Sequence, residues 1–118
     1  MLAGLEPFGP FELSAIADTV NCFAFEAGQK HADGQGKVAR PVLAAFTQGV
    51  CEAACRGGSG AVIVSLVCDF VDDGRPGERI EAKVKIVRRT KSLIFLTADV
   101  TADGRTLLTA NALARRPE

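Results

Sequence analysis

The chain has 118 residues and a mass of 12.4 kDa, the size of one domain with one core. Hydrophobic residues make up 47% and charged residues 24%, which excludes a disordered chain. Fourteen basic side chains balance fourteen acidic ones, and the aromatics are seven Phe with no Trp or Tyr, so neither a basic field nor a stacking platform for nucleic acid is present.

A chain of this size buries only about two-thirds of its surface, so self-association is expected. No apolar run reaches the roughly 18 residues of a transmembrane helix. The start, Met1 to Pro7, has no basic region and is broken by Pro7, so no signal peptide is expected. Cys22, Cys51, Cys55 and Cys68 form no Cys-x-x-Cys pair. They read as reduced core thiols of a cytoplasmic protein.

Residues 1–19 read as an irregular lead-in punctuated by Pro7, Gly9 and Pro10, in which Phe11 to Ala17 fits a strand or a short helix. Val20 to Ala27 alternates as a strand. Gly28 to Arg40 is polar, carries three glycines and reads as a loop. Pro41 to Arg56 is the clearest helix. Pro41 suits its first position, and Gly57 and Gly58 supply the stop. Between Val42 and Cys55 its only charge is Glu52, with Thr47 and Gln48 the only other polar side chains. A helix apolar nearly all round must be wrapped by protein on most sides.

After residue 60 the period changes to that of strands, over 61–71, 78–89, 93–101 and 105–115. Asp72-Asp73-Gly74, Thr90-Lys91-Ser92 and Ala102-Asp103-Gly104 separate them as turns, which predicts an antiparallel meander. Even positions from Val62 to Ala114 form one apolar face. The odd face carries Lys83, Lys85 and Arg89, together with an apolar stripe of Ile63, Val67, Val87, Phe95 and Leu107. Such a stripe predicts association through the sheet. The expected architecture is α+β: one antiparallel sheet curved around one central apolar helix, a single domain over 1–118.

Five features carry possible chemistry. Gly34-Gln-Gly36-Lys-Val38-Ala39 matches an Ala-ended dinucleotide fingerprint, but the strands that follow are not parallel crossovers, so a flexible loop is expected. Cys51 and Cys55 lie one helical turn apart, yet His31 is the single histidine and no carboxylate is spaced with them. They read as packing thiols, with no metal. His31 is expected to be solvated or capping. Gln48 and Glu52, at i and i+4, look either to solvent or into a pocket. Arg88, Arg89 and Lys91 with Ser92 form the densest basic cluster, either a solvated hairpin end or a phosphate contact.

The segment His31-Ala-Asp33-Gly-Gln-Gly36-Lys-Val38-Ala39-Arg40-Pro41, followed by the apolar helix and four strands, resembles the hotdog-fold acyl-CoA thioesterases, in particular the phenylacetyl-CoA thioesterase-like branch. That branch reads His-x-Asn-x-x-Gly-x-x-His-Gly-Gly before a helix carrying Asp or Glu. Gly36 falls on the family glycine. Asp33 stands in place of Asn, Ala39-Arg40-Pro41 in place of His-Gly-Gly, and Gln48 in place of the helical acid.

The resemblance implies a hotdog fold and a site shared between subunits of a dimer or tetramer. It places the carbonyl-polarising N–H on Arg40. It leaves Asp33, with Gln48, or else Glu52, to activate water. Gly36, Val38, Ala39 and Pro41 would line the substrate, and Arg88, Arg89, Lys91 or Ser92 would meet coenzyme A phosphates. The implied activity is hydrolysis of an acyl-CoA or acyl-carrier thioester without a cofactor. The alternative is a hotdog protein that binds acyl-CoA or another small ligand without turnover. No nucleic acid and no membrane partner is expected.

Overall fold

The computed structural model describes residues 8, 11–17, 20–55 and 60–117. Pro7, Gly9 and Pro10 of the expected lead-in, and Arg56, Gly57 and Gly58 at the expected helix end, lie outside them. The elements run β1 (Phe11–Ala17), β2 (Val20–Glu26), α1 (Arg40–Cys55), β3 (Val62–Phe70), β4 (Arg79–Arg89), β5 (Leu93–Ala102) and β6 (Arg105–Arg115). Within the lead-in, Phe11–Ala17 is thus a strand and not a short helix. There β1 pairs antiparallel with β2, from Phe11 opposite Phe25 to Ala17 opposite Val20, which satisfies ladder groups on the outer side of β2.

One six-stranded sheet forms in the order β1-β2-β4-β5-β6-β3. Only β4, β5 and β6 make the expected meander. Strand β3 pairs with β6, not with β4, so Asp72-Asp73-Gly74 is no hairpin turn but opens a crossover, residues 71–78. The cause is the helix. Because α1 is apolar on nearly every side, the chain leaves β2, runs along α1 and enters the sheet at its far edge. The sheet curls between those two strands, and α1 touches β2, β3, β4, β5 and β6. Leu43, Phe46, Val50 and Cys51 are its buried side. Phe46 meets Phe25 at 4.6 Å between ring centroids, the kind of core ring whose loss costs about 3–5 kcal/mol. The buried Thr47 hydroxyl donates to Leu43 O at 2.7 Å, so it costs the core little.

Three bulges change which residues face the helix. In β3 the register slips at Val64. Ile63 therefore packs against the core, while Val62 and Val64 are about half exposed. In β6 the slip falls at Leu107, and both Leu107 and Leu108 are fully buried. Ile63 and Leu107 thus leave the expected outer stripe, which consists instead of Val62, Val64, Val67, Val71, Val87 and Phe95. In β4 the slip at Val87 sets Arg89 opposite the buried Ile94, so Arg89 leaves the odd face. A strict period of two cannot register an inserted residue; each bulge reverses the facing of every position beyond it.

Candidate functional site at the N-terminus of the helix

The loop between β2 and α1 is closed by internal hydrogen bonds and one bridge. A single 3-10 turn, Gln29–His31, leads into a small closed loop whose arms meet at an Ala32–Val38 bridge. Asp33 organises its interior. Its N–H donates to Lys37 O at 2.7 Å, and its Oδ1 accepts from Gln35 N–H at 2.7 Å and Lys37 N–H at 3.1 Å. Gly36, at φ +74°, supplies the left-handed residue that closes the loop. These two N–H donors hold the exposed Asp33 carboxyl below its ordinary value of 3.8.

His31 is buried rather than solvated, with 5% of its surface exposed. Its ring stacks on Phe8 at 5.8 Å and meets Phe25 edge-on at 5.2 Å. Its Nδ1 accepts the Gly28 N–H at 3.0 Å, so it is a capping residue of the turn. His31 O accepts the Ala39 N–H at 2.9 Å, which joins the loop to the first turn of α1. Ala39 O accepts from Val42 N–H and Leu43 N–H, so Ala39 caps the helix. Arg40 is then the first helical residue and Pro41 the second, one place later than the sequence suggests. Pro41 still sits where an N–H would have no helical acceptor. The Arg40 N–H is such a terminal donor, at the positive end of the helix dipole. Its guanidinium lies over the Phe70 ring, Cζ 5.2 Å from the centroid.

The structure thus brings Asp33, Gly36, Val38, Ala39, Arg40 and Pro41 into one region. Gln48 lies two turns along α1 on the uncovered stripe Pro41, Ala45, Gln48, and is exposed. Glu52, half-buried, accepts the Ile63 N–H at 3.2 Å. Among the described residues no hydrogen bond or ion pair joins Asp33 to Gln48 or Glu52 within the chain. The basic cluster is at the other end of the helix. Arg89 and Arg116 act electrostatically on Cys55, the last residue of α1, and Arg116 N–H donates to Ser92 O. Sixteen helical residues, at about 1.5 Å each, separate Arg88, Arg89, Lys91 and Ser92 from the Asp33 loop. A groove of about 520 Å³ on the outer face of the sheet is lined by Cys22, Glu81, Lys83, Asp99, Thr101 and Thr106, and none of the expected site residues lines it.

Burial pushes the Cys51 thiol up to about 12 and the Cys55 thiol up to about 11, so neither is a nucleophile near neutral pH. Among the described residues no group of three or more metal-ligating side chains forms. No described helix is long and apolar enough to cross a membrane. Sequence reasoning missed His31 as a buried anchor. It also missed the hydrogen bonds of Gly74 and Arg105 described below, which join residues 27 to 36 positions apart and leave no local pattern.

Residues 43–109, more than half of the chain, match the family model described as the thioesterase superfamily. A hypothetical thioesterase from Streptococcus pneumoniae TIGR4, solved with coenzyme A, shares the fold at TM-score 0.88 and 13% identity over 93% of this chain and 88% of that one. The E. coli PaaI protein from the phenylacetic acid degradation operon does so at 0.86 and 15%, over 97% and 88%. A mutant of the phenylacetic acid degradation protein PaaI from Thermus thermophilus does so at 0.87 and 20%, over 96% and 97%. No curated protein matches the chain.

Proposed function

This chain belongs to the thioesterase superfamily and has its hotdog fold, and from that premise we propose that it hydrolyses an acyl-CoA or acyl-carrier thioester at the N-terminus of α1. The observation that carries this reading is the hydrogen bond from Ala39 N–H to His31 O. It sets a carboxylate loop beside the helix end that offers the Arg40 N–H.

In the proposed reaction the thioester carbonyl oxygen accepts from Arg40 N–H, and the helix dipole favours the charge that develops there. Asp33 takes a proton from water as the water oxygen attacks the carbonyl carbon. The tetrahedral intermediate collapses, the carbon–sulfur bond breaks, and the proton passes from Asp33 to the departing thiolate. The products are a carboxylic acid and a free thiol. No cofactor is needed.

Gln48 is too far along α1 to help Asp33 of its own chain. It would orient water or substrate for the loop of a second copy, in a homodimer or homotetramer. The uncovered stripe Pro41, Ala45, Gln48 and the exposed valines of edge strand β3 support such pairing. With two copies head to tail, the Arg88–Ser92 hairpin of one lies near the Asp33 loop of the other, where coenzyme A phosphates would meet it. The neighbour solved with coenzyme A supports a coenzyme A thioester as ligand. The four free thiols support a cytoplasmic setting.

One observation favours a second reading. Asp33 is held in its ionised form by two N–H donors, which makes it a weak base, and the Gln48 amide does not titrate. A protein that binds acyl-CoA without turnover needs neither. Thiol release measured across a panel of acyl-CoAs decides between them. Release supports hydrolysis, whereas coenzyme A binding with no release against any acyl group overturns it.

A further inference from the structure

A side chain of β6, Arg105, braces the crossover on which the Asp33 loop rests. Arg105 Nη1 donates to Glu78 Oε2 at 2.8 Å, and Nη2 donates to Glu78 Oε1 at 3.0 Å and to Asp73 O at 2.7 Å. Its Nε lies 3.3 Å from Asp72 Oδ2. Glu78 Oε1 also accepts the Arg75 N–H at 2.8 Å. One planar guanidinium therefore ties both ends of crossover 71–78 to the start of β6. A lone exposed ion pair contributes little. This one is a fork on a carboxylate with a backbone carbonyl added, and Glu78 is mostly covered, at 18% exposure.

On its other side the crossover carries the Asp33 loop. Gly74 O accepts the Val38 N–H at 2.8 Å, and Asp73 Oδ2 lies 3.2 Å from Lys37 Nζ. Lys37 is the residue whose N–H and carbonyl both bond Asp33. The crossover has no room to slide inward. A Cβ on Gly74 would stand 3.1 Å from Leu107 Cδ1, 3.4 Å from Ile80 Cδ1 and 3.5 Å from Val38 Cβ. The crossover is thus pinned between Arg105 and the loop, and the bonds run unbroken from Arg105 through Asp73 and Gly74 to Lys37, Val38 and Asp33.

We propose that Arg105 is the positioning residue of the Asp33 loop, holding Lys37 and Val38 through crossover 71–78 so that the Asp33 carboxylate stays beside the mouth of α1. Its effect on turnover rests on the hydrolytic reading above; its effect on the loop does not.

The test compares wild type, Arg105→Gln and a destabilised control, Ile94→Ala, a core position toward the far end of α1. Three readouts are taken: amide hydrogen exchange, NMR titration of the Asp33 carboxyl, and kcat and KM with an acyl-CoA. Expected for Arg105→Gln is Val38 amide exchange faster on the order of tenfold than its stability loss accounts for, the scale of one charge-assisted hydrogen bond. The Asp33 carboxyl titrates closer to its ordinary value, and kcat falls more than KM changes. Arg105→Lys restores part of each. Ile94→Ala speeds exchange throughout and leaves the Asp33 titration in place.

Should Arg105→Gln fail to fold, Glu78→Gln, which removes the charge of the fork's partner, carries the same three readouts. Unchanged Val38 exchange and Asp33 titration in the folded variant overturn the proposal. A wild type with no turnover removes the hydrolytic reading alone, because exchange and titration still decide the role of Arg105.

Discussion

The Glu52 carboxylate accepts the backbone N–H of Ile63 at 3.2 Å, beside the bulge where β3 slips at Val64. A bulge disturbs the ladder and leaves backbone groups in need of partners. Glu52 supplies one from the second half of α1. This gives the single charge in the apolar stretch of α1 a structural task and weighs against it as the group that activates water.

The bond predicts a dissociation of stability from turnover. Glu52→Ala should lower stability by about 1–2 kcal/mol, the cost of a lost hydrogen bond to a charged acceptor, measured by urea unfolding. Glu52→Gln keeps an acceptor oxygen and should cost less. Neither should abolish thiol release. If Glu52→Gln stops release while stability holds, the base lies on the helix.

Asp33→Asn should do the opposite. It preserves an oxygen for the Gln35 and Lys37 N–H groups, so the loop should keep its shape. It removes the proposed base, and loss of a general base costs about 100- to 10,000-fold in rate. Gln48→Ala should cost less, since the role proposed for the amide is only to orient. Acyl-CoA hydrolysis by the three variants ranks them, and an order with Glu52 above Asp33 reverses the assignment.

Acid should destabilise the fold through two carboxyls. Asp33 is held below 3.8 by backbone N–H donors, and Glu78 below 4.5 by the Arg105 side chain above all. A carboxyl depressed in the folded state contributes stability that is complete above its ordinary value and is lost as pH falls through its folded value. Urea midpoints from about pH 6 down to about pH 3 should therefore fall below roughly pH 4.5. Glu78→Gln should flatten that fall, and an unchanged slope counts against the assignment.

Reversing the charges of Arg88, Arg89 and Lys91 together should weaken coenzyme A binding about tenfold or more at low salt, with a shrinking difference as salt screens it. These residues lie at the end of α1 remote from Asp33. The effect is therefore expected only where the protein is at least a dimer. Calorimetry at two ionic strengths reads both, and unchanged affinity in the triple variant removes the cluster from the ligand.

Self-association itself is read by light scattering at micromolar concentration. The wild type should exceed 12.4 kDa. Val67→Asp, placed on the exposed face of edge strand β3, should shift the mass toward one chain. A wild type seen only as the single chain sinks the two-copy site.

What the sequence determined by itself is whatever local periodicity encodes. The apolar run from Val42 to Cys55 placed α1, and period-two alternation placed β2 to β6 within a residue or two. Asp103-Gly104, both at positive φ, closed the turn between β5 and β6 as read. The motif around Gly36 marked the loop and its glycine, and with the helix it pointed to the family. Tertiary structure decided the rest, for reasons of non-local pairing. That β3 seeks β6 and not β4 depends on covering the second flank of α1, which no window of sequence contains. The facing of Ile63, Leu107 and Arg89 depends on bulges, and a bulge is visible only when two strands are laid together. His31 became a buried anchor because Phe8 and Phe25 close on its ring from two separate segments, and Phe46 of α1 packs against both of them. Arg105 reaches Glu78 and Asp73 across 27 and 32 positions. Such contacts exist only after the sheet has curled around the helix, because curling brings the crossover, the loop and the start of β6 to one end of the fold.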